Sequence, residues 1–147
     1  MSRAPEREKS TQPNYHLTLA AILDAQICLL ASRLLAVSGN SLLSTGAAYI
    51  GSALSQCSSL TVLNLDGNGI DDSGALNLAN GIKANSSLHT LLVANNEIGN
   101  AGGMALVQCW QERQKRMRVI DMSGNNLSGK VMGEIQKIGK NVVRVSK

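Results

Sequence analysis

The sequence predicts an α/β solenoid, in which short parallel strands line a concave face and helices line the convex face. Three observations indicate it. Apolar residues, an asparagine and a glycine recur in phase about every 28 residues. Segments such as TVLNLD and VIDMS alternate apolar and polar side chains, which is the period of a strand. Segments such as ALNLANGI and GMALVQCW place apolar side chains three and four residues apart, which is the spacing of a buried helix face.

Four segments align on their asparagines. They begin near residues 32, 60, 88 and 117, and each has apolar residues at its fourth, sixth and eleventh positions. The first position is apolar in every repeat except the first, which has Ser32. The ninth position is asparagine throughout: Asn40, Asn68, Asn96 and Asn125. Six residues later, three repeats have a glycine: Gly46, Gly74 and Gly102. Ordinary turn residues are the alternative, but they rarely stay in phase over about 100 residues.

The asparagine has a physical role at this position. Where each predicted strand ends, the chain turns inward and buries backbone donors and acceptors that have no sheet partner. An unpaired buried peptide group costs about 1–3 kcal/mol. Because an amide side chain offers an acceptor and two donors, a stacked column of the four asparagines is expected to satisfy backbone groups in its own and adjacent repeats. The glycines are expected to open each helix, where a missing Cβ permits close packing or a positive φ.

This pattern resembles the leucine-rich repeat of the 28/29-residue class, similar to ribonuclease inhibitor. The resemblance covers roughly residues 30–145 and implies a right-handed solenoid, a short horseshoe arc of about four repeats. Each repeat then consists of a strand, a turn, a helix and a return loop. Two helical columns should stack along the arc: Ile50, Leu78, Leu106 and Ile135 in one, and Leu54, Ile82 and Trp110 in the other.

Three regions are predicted along the chain. Residues 1–13 form a disordered tail. Residues 14–31 match no full repeat, and Asn14 is placed to cap a helix, so we interpret them as a helical N-terminal cap. Residues 32–147 form the repeat domain, and the valines of NVVRVSK indicate a capping strand at its C-terminal end. This strand has an open edge. Either its basic residues prevent pairing with other strands, or the edge binds another chain.

The composition fits thin, repeated layers. The 147 residues include no Phe and one Trp, so an aliphatic core is expected. The three cysteines are far apart and match neither a metal knuckle nor a disulfide framework, which favours buried thiols in a reducing compartment. The N-terminus lacks the apolar core of a signal peptide, and Asp24 and Arg33 interrupt the apolar stretch that follows. We therefore expect a cytoplasmic protein with no membrane span.

No catalytic arrangement is recognisable. His16 and His89 are the only histidines. Asp71 and Asp72 lie in the turn before a helix, where acidic residues favour the helix N-terminus, and two adjacent carboxylates supply too few ligands for a metal ion. No glycine-rich phosphate loop occurs. The expectation is a protein that is not an enzyme, with no cofactor, no metal and no small-molecule substrate.

The predicted binding surface is the concave face, where the third, fifth and seventh positions of each repeat point outward. The third-position row is largely apolar, and Leu92 adjoins it. An exposed aliphatic stripe is typical of a partner site. The alternative is that the twist of short strands turns these side chains into the core. The candidate partner-binding residues on this face are Leu34, Val62, Asn64, Asp66, Thr90, Leu92, Val119 and Asp121.

A second candidate surface is the basic C-terminal end. Residues 111–147 carry nine basic and three acidic side chains, whereas residues 14–110 carry two basic and five acidic ones. The segment QERQKRMR supplies four candidate binding residues: Arg113, Lys115, Arg116 and Arg118. Such an end suits an acidic protein surface or a nucleic acid, although it offers no free aromatic residue to stack on single-stranded RNA. A solvated loop is the alternative.

Together these features predict a non-enzymatic protein–protein interaction module. It would be a scaffold or adaptor subunit of a larger cytoplasmic or cytoskeletal assembly. The cilium and the nucleus are alternative locations, and the sequence does not identify the partner. One alternative is a regulator of a small GTPase, because Ran GTPase-activating proteins have similar repeats in much longer arrays. A basic RNA- or ribosome-associated protein is another, and a short relative of a longer receptor-like repeat protein is the third.

Overall fold

The computed structural model of the chain describes residues 33–112, 117–139 and 142–147. The predicted N-terminal tail and helical cap, together with Ser32 and Lys140, lie outside the described residues. The domain boundaries drawn from the sequence therefore stay predictions.

Strands and helices alternate along the described chain. The strands are β1 (Leu34–Ala36), β2 (Val62–Asn64), β3 (Thr90–Leu92), β4 (Val119–Asp121) and β5 (Val143–Arg144). The helices are α1 (Leu43–Gln56), α2 (Asp72–Ala84), α3 (Asn100–Glu112) and α4 (Gly129–Ile138). Each helix contacts the helix of the next repeat, and each strand pairs with the strand of the next repeat.

The strands form one parallel sheet in the order β1-β2-β3-β4-β5. Residues at the same repeat position are direct neighbours across it, so that Leu34, Val62, Thr90 and Val119 form one row. Each strand is joined to the next by a helix, and each helix contacts the helix of the next repeat, so the helices form a second layer beside the sheet. The predicted α/β solenoid is confirmed.

The core lies between the sheet and the helices and is built in layers. The central residues of β2, β3 and β4 are Leu63, Leu91 and Ile120, and each is at most 1% exposed. The two predicted helical columns are also buried. Burying one such aliphatic side chain contributes about 1.5–3 kcal/mol. Because the same buried positions recur in each repeat, each layer of the core packs against a layer built from the same positions.

The ninth-position asparagines join neighbouring repeats. The Oδ1 atom of Asn96 accepts hydrogen bonds from the backbone N–H groups of Asn68 at 2.9 Å and Ile70 at 3.0 Å. Its Nδ2 atom donates to the carbonyl oxygens of Leu65 and Val93, both at 3.0 Å. Asn96 is only 6% exposed, so these backbone groups would otherwise be buried without partners.

The other asparagines show where this column ends. Asn68 accepts from the N–H group of Asn40 at 3.0 Å, and Asn125 accepts from that of Ile98 at 3.0 Å. Asn40 is exposed, and within the described residues its amide donates only to the carbonyl oxygen of Ser38, at 2.9 Å. Asn40 is therefore a terminal member of the column, and it does not bridge two described repeats as the other three do.

The residue before each asparagine adopts a left-handed backbone conformation. Its φ is +68° at Gly39, +64° at Gly67, +54° at Asn95 and +68° at Gly124. Glycine and asparagine tolerate this region best. This row keeps the phase of the repeat, so it is visible in the sequence, although the sequence analysis above did not use it.

The glycines that follow the asparagines serve close packing. Gly74 lies in the first turn of α2, and a Cβ there would lie 2.6 Å from Cγ2 of Ile70 and 3.0 Å from Cα of Ser44. A Cβ at Gly102 would meet Oδ1 of Asp72 at 2.7 Å. Neither residue has a positive φ. Of the two expected reasons for these glycines, the structure supports contact between successive repeats.

A second polar row joins the helix starts, and the sequence analysis missed it. Oδ1 of Asp72 accepts from the N–H groups of Gly99 at 2.7 Å and Gly102 at 2.8 Å, so it caps α3 from the preceding repeat. Oδ1 of Asn100 accepts from the N–H of Ser128 at 2.9 Å. At the same position of the first described repeat, the hydroxyl of Ser44 donates to the carboxylate of Asp71 (Oδ1), the residue before Asp72. These three positions are spaced by 28 residues, and they share the ability to accept or donate at a helix N-terminus.

The contact between Ser44 and Asp71 makes the free energy of unfolding depend on pH. The hydroxyl of Ser44 and the backbone N–H of Gly74 hold the pKa of Asp71 below its ordinary value. A lowered folded-state pKa means that this stabilisation is present above the unfolded pKa and is lost as the pH falls through the folded pKa. We expect Ser44→Ala to raise the pKa of Asp71 towards its ordinary value, measured by NMR titration of the side-chain carboxyl carbon.

A matched control for this titration is Ser55→Ala. The hydroxyl of Ser55 donates to the carbonyl oxygen of Ser52 within α1 and does not contact Asp71. An Asp71 pKa that is the same in the wild type and in Ser44→Ala would contradict the assignment.

Candidate binding surface

The strand face consists of the outward rows of the sheet. The third-position row is Leu34, Val62, Thr90 and Val119, and the fifth-position row is Ala36, Asn64, Leu92 and Asp121. Leu34 is 57% exposed, and the members of these rows in β2, β3 and β4 are half-buried. The structure thus lies between the two interpretations of the sequence: the side chains line a surface and also shield the layer beneath.

The polar side chains of the strand face are partly used by the fold. Oδ1 of Asn64 accepts from the N–H of Asp66 at 2.9 Å, and Oδ1 of Asp66 accepts from the N–H of Ala94 at 2.7 Å in the next repeat. Oδ1 of Asp121 accepts from the N–H of Ser123 at 3.0 Å. These candidate residues therefore hold turns in place as well as facing outward, and their substitution changes both properties.

The strand face changes character along the sheet. Towards β1 it is mostly apolar, because Leu34 and Val62 are direct neighbours across β1 and β2; Leu92 lies on β3, opposite Asn64. Towards β5 it is charged, because Arg144 lies beside Asp121, with 4.0 Å between Nη1 and Oδ2. An ion pair of this length with an exposed arginine contributes little to stability. A partner that covers the whole face would need an apolar area and a polar area in that order.

The basic end is made of residues after position 117. Within this described part, five basic side chains accompany two acidic ones, Asp121 and Glu134. The basic residues are Arg118, Lys130, Lys137, Arg144 and Lys147. Of the four candidates predicted in QERQKRMR, Arg118 is described and exposed, whereas Arg113, Lys115 and Arg116 lie outside the described residues. Their contribution to this end stays a prediction.

A groove of about 730 Å³ lies at the basic end, between α4 and β5. Its lining includes Gly133, Gln136 and Lys137 from the helix, Val143 and Arg144 from the last strand, and Val145 directly after that strand. The sequence analysis predicted a basic end but no groove, because a space between two elements leaves no mark in the spacing of residue types.

Asn85 is a buried polar residue that the sequence analysis did not recognise. It is 3% exposed, and its Nδ2 atom donates to the carbonyl oxygens of Leu54 at 2.8 Å and Cys57 at 2.6 Å. Its Oδ1 atom accepts from the N–H of Leu88 at 2.7 Å. The side chain thus joins two return loops, as the ninth-position asparagines join two strand ends. Asn85, Ser86 and Ser87 form an N-glycosylation triplet, but the side-chain amide of Asn85 is buried.

Groups that could carry chemistry are dispersed. Among the described residues, no group of three or more His, Cys, Asp or Glu side chains is placed to hold a metal ion. Cys57 and Cys109 are buried, as predicted for these two residues, whereas Cys28 lies outside the described residues. No helix of the described chain is long and apolar enough to span a bilayer.

Comparison with known proteins finds leucine-rich repeats in this chain. One Leucine Rich Repeat model matches residues 56–79 and 84–107, and a second matches residues 116–138. Among solved structures, the chain is similar to Leiomodin-1 Actin-Binding Site 2 (ABS2), with 17% sequence identity and a TM-score of 0.72. The match covers 91% of this chain and 80% of that chain, and at this identity it concerns the fold. No curated protein matches the sequence.

Proposed function

We propose that the chain is a protein–protein interaction module of the ribonuclease-inhibitor-like class of leucine-rich repeats, working as a non-catalytic scaffold or adaptor subunit of a cytoplasmic or cytoskeletal assembly. The observation that carries the proposal is the strand face, whose rows place residues from successive repeats side by side on one surface. A regular sheet surface of this kind offers a rigid site whose specificity depends on a few outward side chains.

The apolar part of the strand face is the proposed centre of the interface. Val62 pairs with Thr90 across β2 and β3, Leu92 follows Thr90 on the same face of β3, and all three are half-buried. Energetically important interface residues cluster near the centre of a patch, where a partner excludes water from them. The polar side chains of Asn64, Asp66 and Asp121 would then form the rim.

Actin is the first partner to test. The solved chain that shares this fold is titled as an actin-binding site. The likeness supports testing actin in both its monomeric and its filamentous form, by co-sedimentation and by fluorescence anisotropy of labelled monomers. If neither form is bound, actin is rejected, and proximity labelling in the native cell then identifies the partner of the strand face.

The strand face is tested by a double variant, Val62→Asp with Leu92→Asp. A carboxylate at each of these positions would be desolvated by a bound partner, so we expect at least about a tenfold loss of affinity. Thr90→Arg tests the same place at a position that is already polar and carries less risk to folding. The measurement is partner binding, after urea unfolding has shown that each variant is folded.

Leu76→Asp is the matched control for this experiment. Leu76 is 45% exposed on α2, on the helix side of the solenoid. Leu76→Asp introduces one carboxylate away from the strand face, the same change as each half of the double variant, and should leave partner binding unchanged. Equal losses from the strand-face and helix-face variants, or unchanged binding in the folded strand-face variants, would reject the strand face as the interface.

A further inference from the structure

The last strand of the sheet has one unpaired edge within the described chain. β5 pairs with β4 on one side, and no described strand lies on its other side. The carbonyl groups of Val142, Arg144 and Ser146 accept hydrogen bonds from β4 and the turn that follows it. Because backbone groups alternate sides along a strand, those of Val143 and Val145 point to the unpaired edge.

Two backbone groups at this edge are available to a further strand. The N–H of Val143 donates to the carbonyl of Gly139 at 3.0 Å, and the carbonyl of Val145 accepts from Nε2 of Gln136 at 3.5 Å. The carbonyl of Val143 and the N–H of Val145 have no hydrogen-bond partner among the described residues. In a parallel sheet, a carbonyl and an N–H two residues apart are the pair that binds a single residue of the neighbouring strand.

The groove provides room beside this edge. It has a volume of about 730 Å³ and is lined both by α4 and by β5. A Cβ at Gly133 would have no heavy atom within 4 Å, so the helix leaves open space there. An extended peptide could lie along β5 with its alternate side chains directed towards α4.

The basic side chains around the groove favour an acidic peptide. Lys137 and Arg144 line it, and Lys130 and Lys147 lie on the same basic end. Arg144 is largely exposed, with a side chain 68% accessible, and Asp121 is its nearest described acid at 4.0 Å. Oppositely charged residues on a ligand would meet little competition from this chain.

We propose that the groove between α4 and β5 binds an extended acidic peptide of a partner protein, which adds a strand to the open edge of the sheet. This inference rests on the proposed protein-interaction function and adds a second binding site at the basic end; it does not depend on the strand face being an interface. Backbone pairing supplies the docking geometry, and the basic side chains supply the preference for glutamate and aspartate.

The test uses the full chain and a fluorescein-labelled synthetic peptide of alternating valine and glutamate, followed by fluorescence anisotropy. Two analogues, N-methylated on the valines or on the glutamates, keep the charge and remove alternate N–H groups. Strand addition predicts that one analogue binds at least about tenfold more weakly than the parent peptide, because only one set of N–H groups faces β5. Both analogues binding like the parent would overturn the proposal.

Two glycines of α4 provide a matched pair of variants. Gly133→Gln fills the open space inside the groove, and we expect it to weaken peptide binding at least about tenfold. Gly129→Gln adds the same side chain at a second position with no heavy atom within 4 Å, outside the groove lining, and should bind the peptide normally. Because both replace a helical glycine at an open position, neither should destabilise the fold. Equal binding by the two variants would overturn the groove assignment.

Charge and location are tested separately. Lys137→Gln with Arg144→Gln should weaken peptide binding at least about tenfold at low salt and flatten its salt dependence. The folded double variant Val62→Asp with Leu92→Asp should bind the peptide like wild type. If that variant lost peptide binding, the peptide would lie on the strand face instead. Single-stranded oligouridylate that displaces the peptide and binds more tightly would show a nucleic-acid site and overturn the proposal. A groove that binds the peptide while the strand face binds no partner would reject the strand-face function alone.

Discussion

Replacing Asn96 with leucine is expected to lower the free energy of unfolding by about 4 kcal/mol or more, the sum of at least two unsatisfied buried backbone groups. Leucine has the same branched side-chain skeleton but is larger, so the change removes the hydrogen bonds and opens no cavity. The N–H groups of Asn68 and Ile70 lose their acceptor, and the carbonyls of Leu65 and Val93 lose a donor. The total stability of a small domain is about 5–15 kcal/mol, so this loss is a large fraction of it.

Asn40→Leu is the matched control, because it makes the same change at the same repeat position. Asn40 is exposed, and its amide makes one hydrogen bond to a described residue, at 2.9 Å to Ser38. We expect its loss to cost no more than about 1 kcal/mol. Both variants are measured by urea unfolding followed by circular dichroism. If Asn96→Leu were no more destabilising than Asn40→Leu, the asparagine column would not be what holds neighbouring repeats together.

Amide hydrogen exchange shows where the destabilisation of Asn96→Leu begins. Each repeat of a solenoid contacts only its neighbours. Removing one asparagine of the column should therefore reduce protection from exchange most in the repeats that it joins. We expect protection to fall first at the ends of β2 and β3, which Asn96 connects. A uniform fall across the described chain would mean that the repeats unfold as one cooperative unit.

The parts of the fold that repeat in phase could be predicted from the sequence. Leu63 and Leu78 each have counterparts 28 residues further on, and one buried layer predicts the next. The asparagine column was predictable because its chemical role allows one residue type. The row of Ser44, Asp72 and Asn100 was missed because three residue types share a single role there, so periodicity alone does not reveal it.

The candidate surfaces could be predicted only in outline. The period places Val62 and Leu92 on the strand face, but it does not constrain which outward side chains a partner meets. It also gives no sign that Asp66 accepts a hydrogen bond from the next repeat as well as facing outward. The groove lies between α4 and β5, and the spacing of residue types along the chain gives no sign of a space there. Function therefore resides in the residues that the repeat leaves free to vary.

A close backbone contact between two helices also lies out of phase with the repeat. Gly51 in α1 and Gly81 in α2 are 30 residues apart, whereas the repeat is 28 residues long. A Cβ at Gly81 would overlap the carbonyl oxygen of Gly51 and lie 2.5 Å from its carbonyl carbon. A Cβ at Gly51 would in turn lie 2.9 Å from the carbonyl carbon of Asn77. The pair follows from how the helices cross, so a pattern read along one chain does not disclose it.

Gly81→Ala is therefore expected to lower the free energy of unfolding by about 3 kcal/mol or more, at the upper end of the usual cost of overpacking. The atom that it meets belongs to the backbone of α1, so no side-chain rotation relieves the contact. Gly133→Ala makes the same substitution in the middle of α4, where a Cβ has no heavy atom within 4 Å. Alanine there should stabilise the chain by about 0.5–1 kcal/mol through its helix propensity. The two variants should thus change the urea midpoint in opposite directions, and a Gly81→Ala protein as stable as wild type would show that α1 and α2 are not held at this backbone contact.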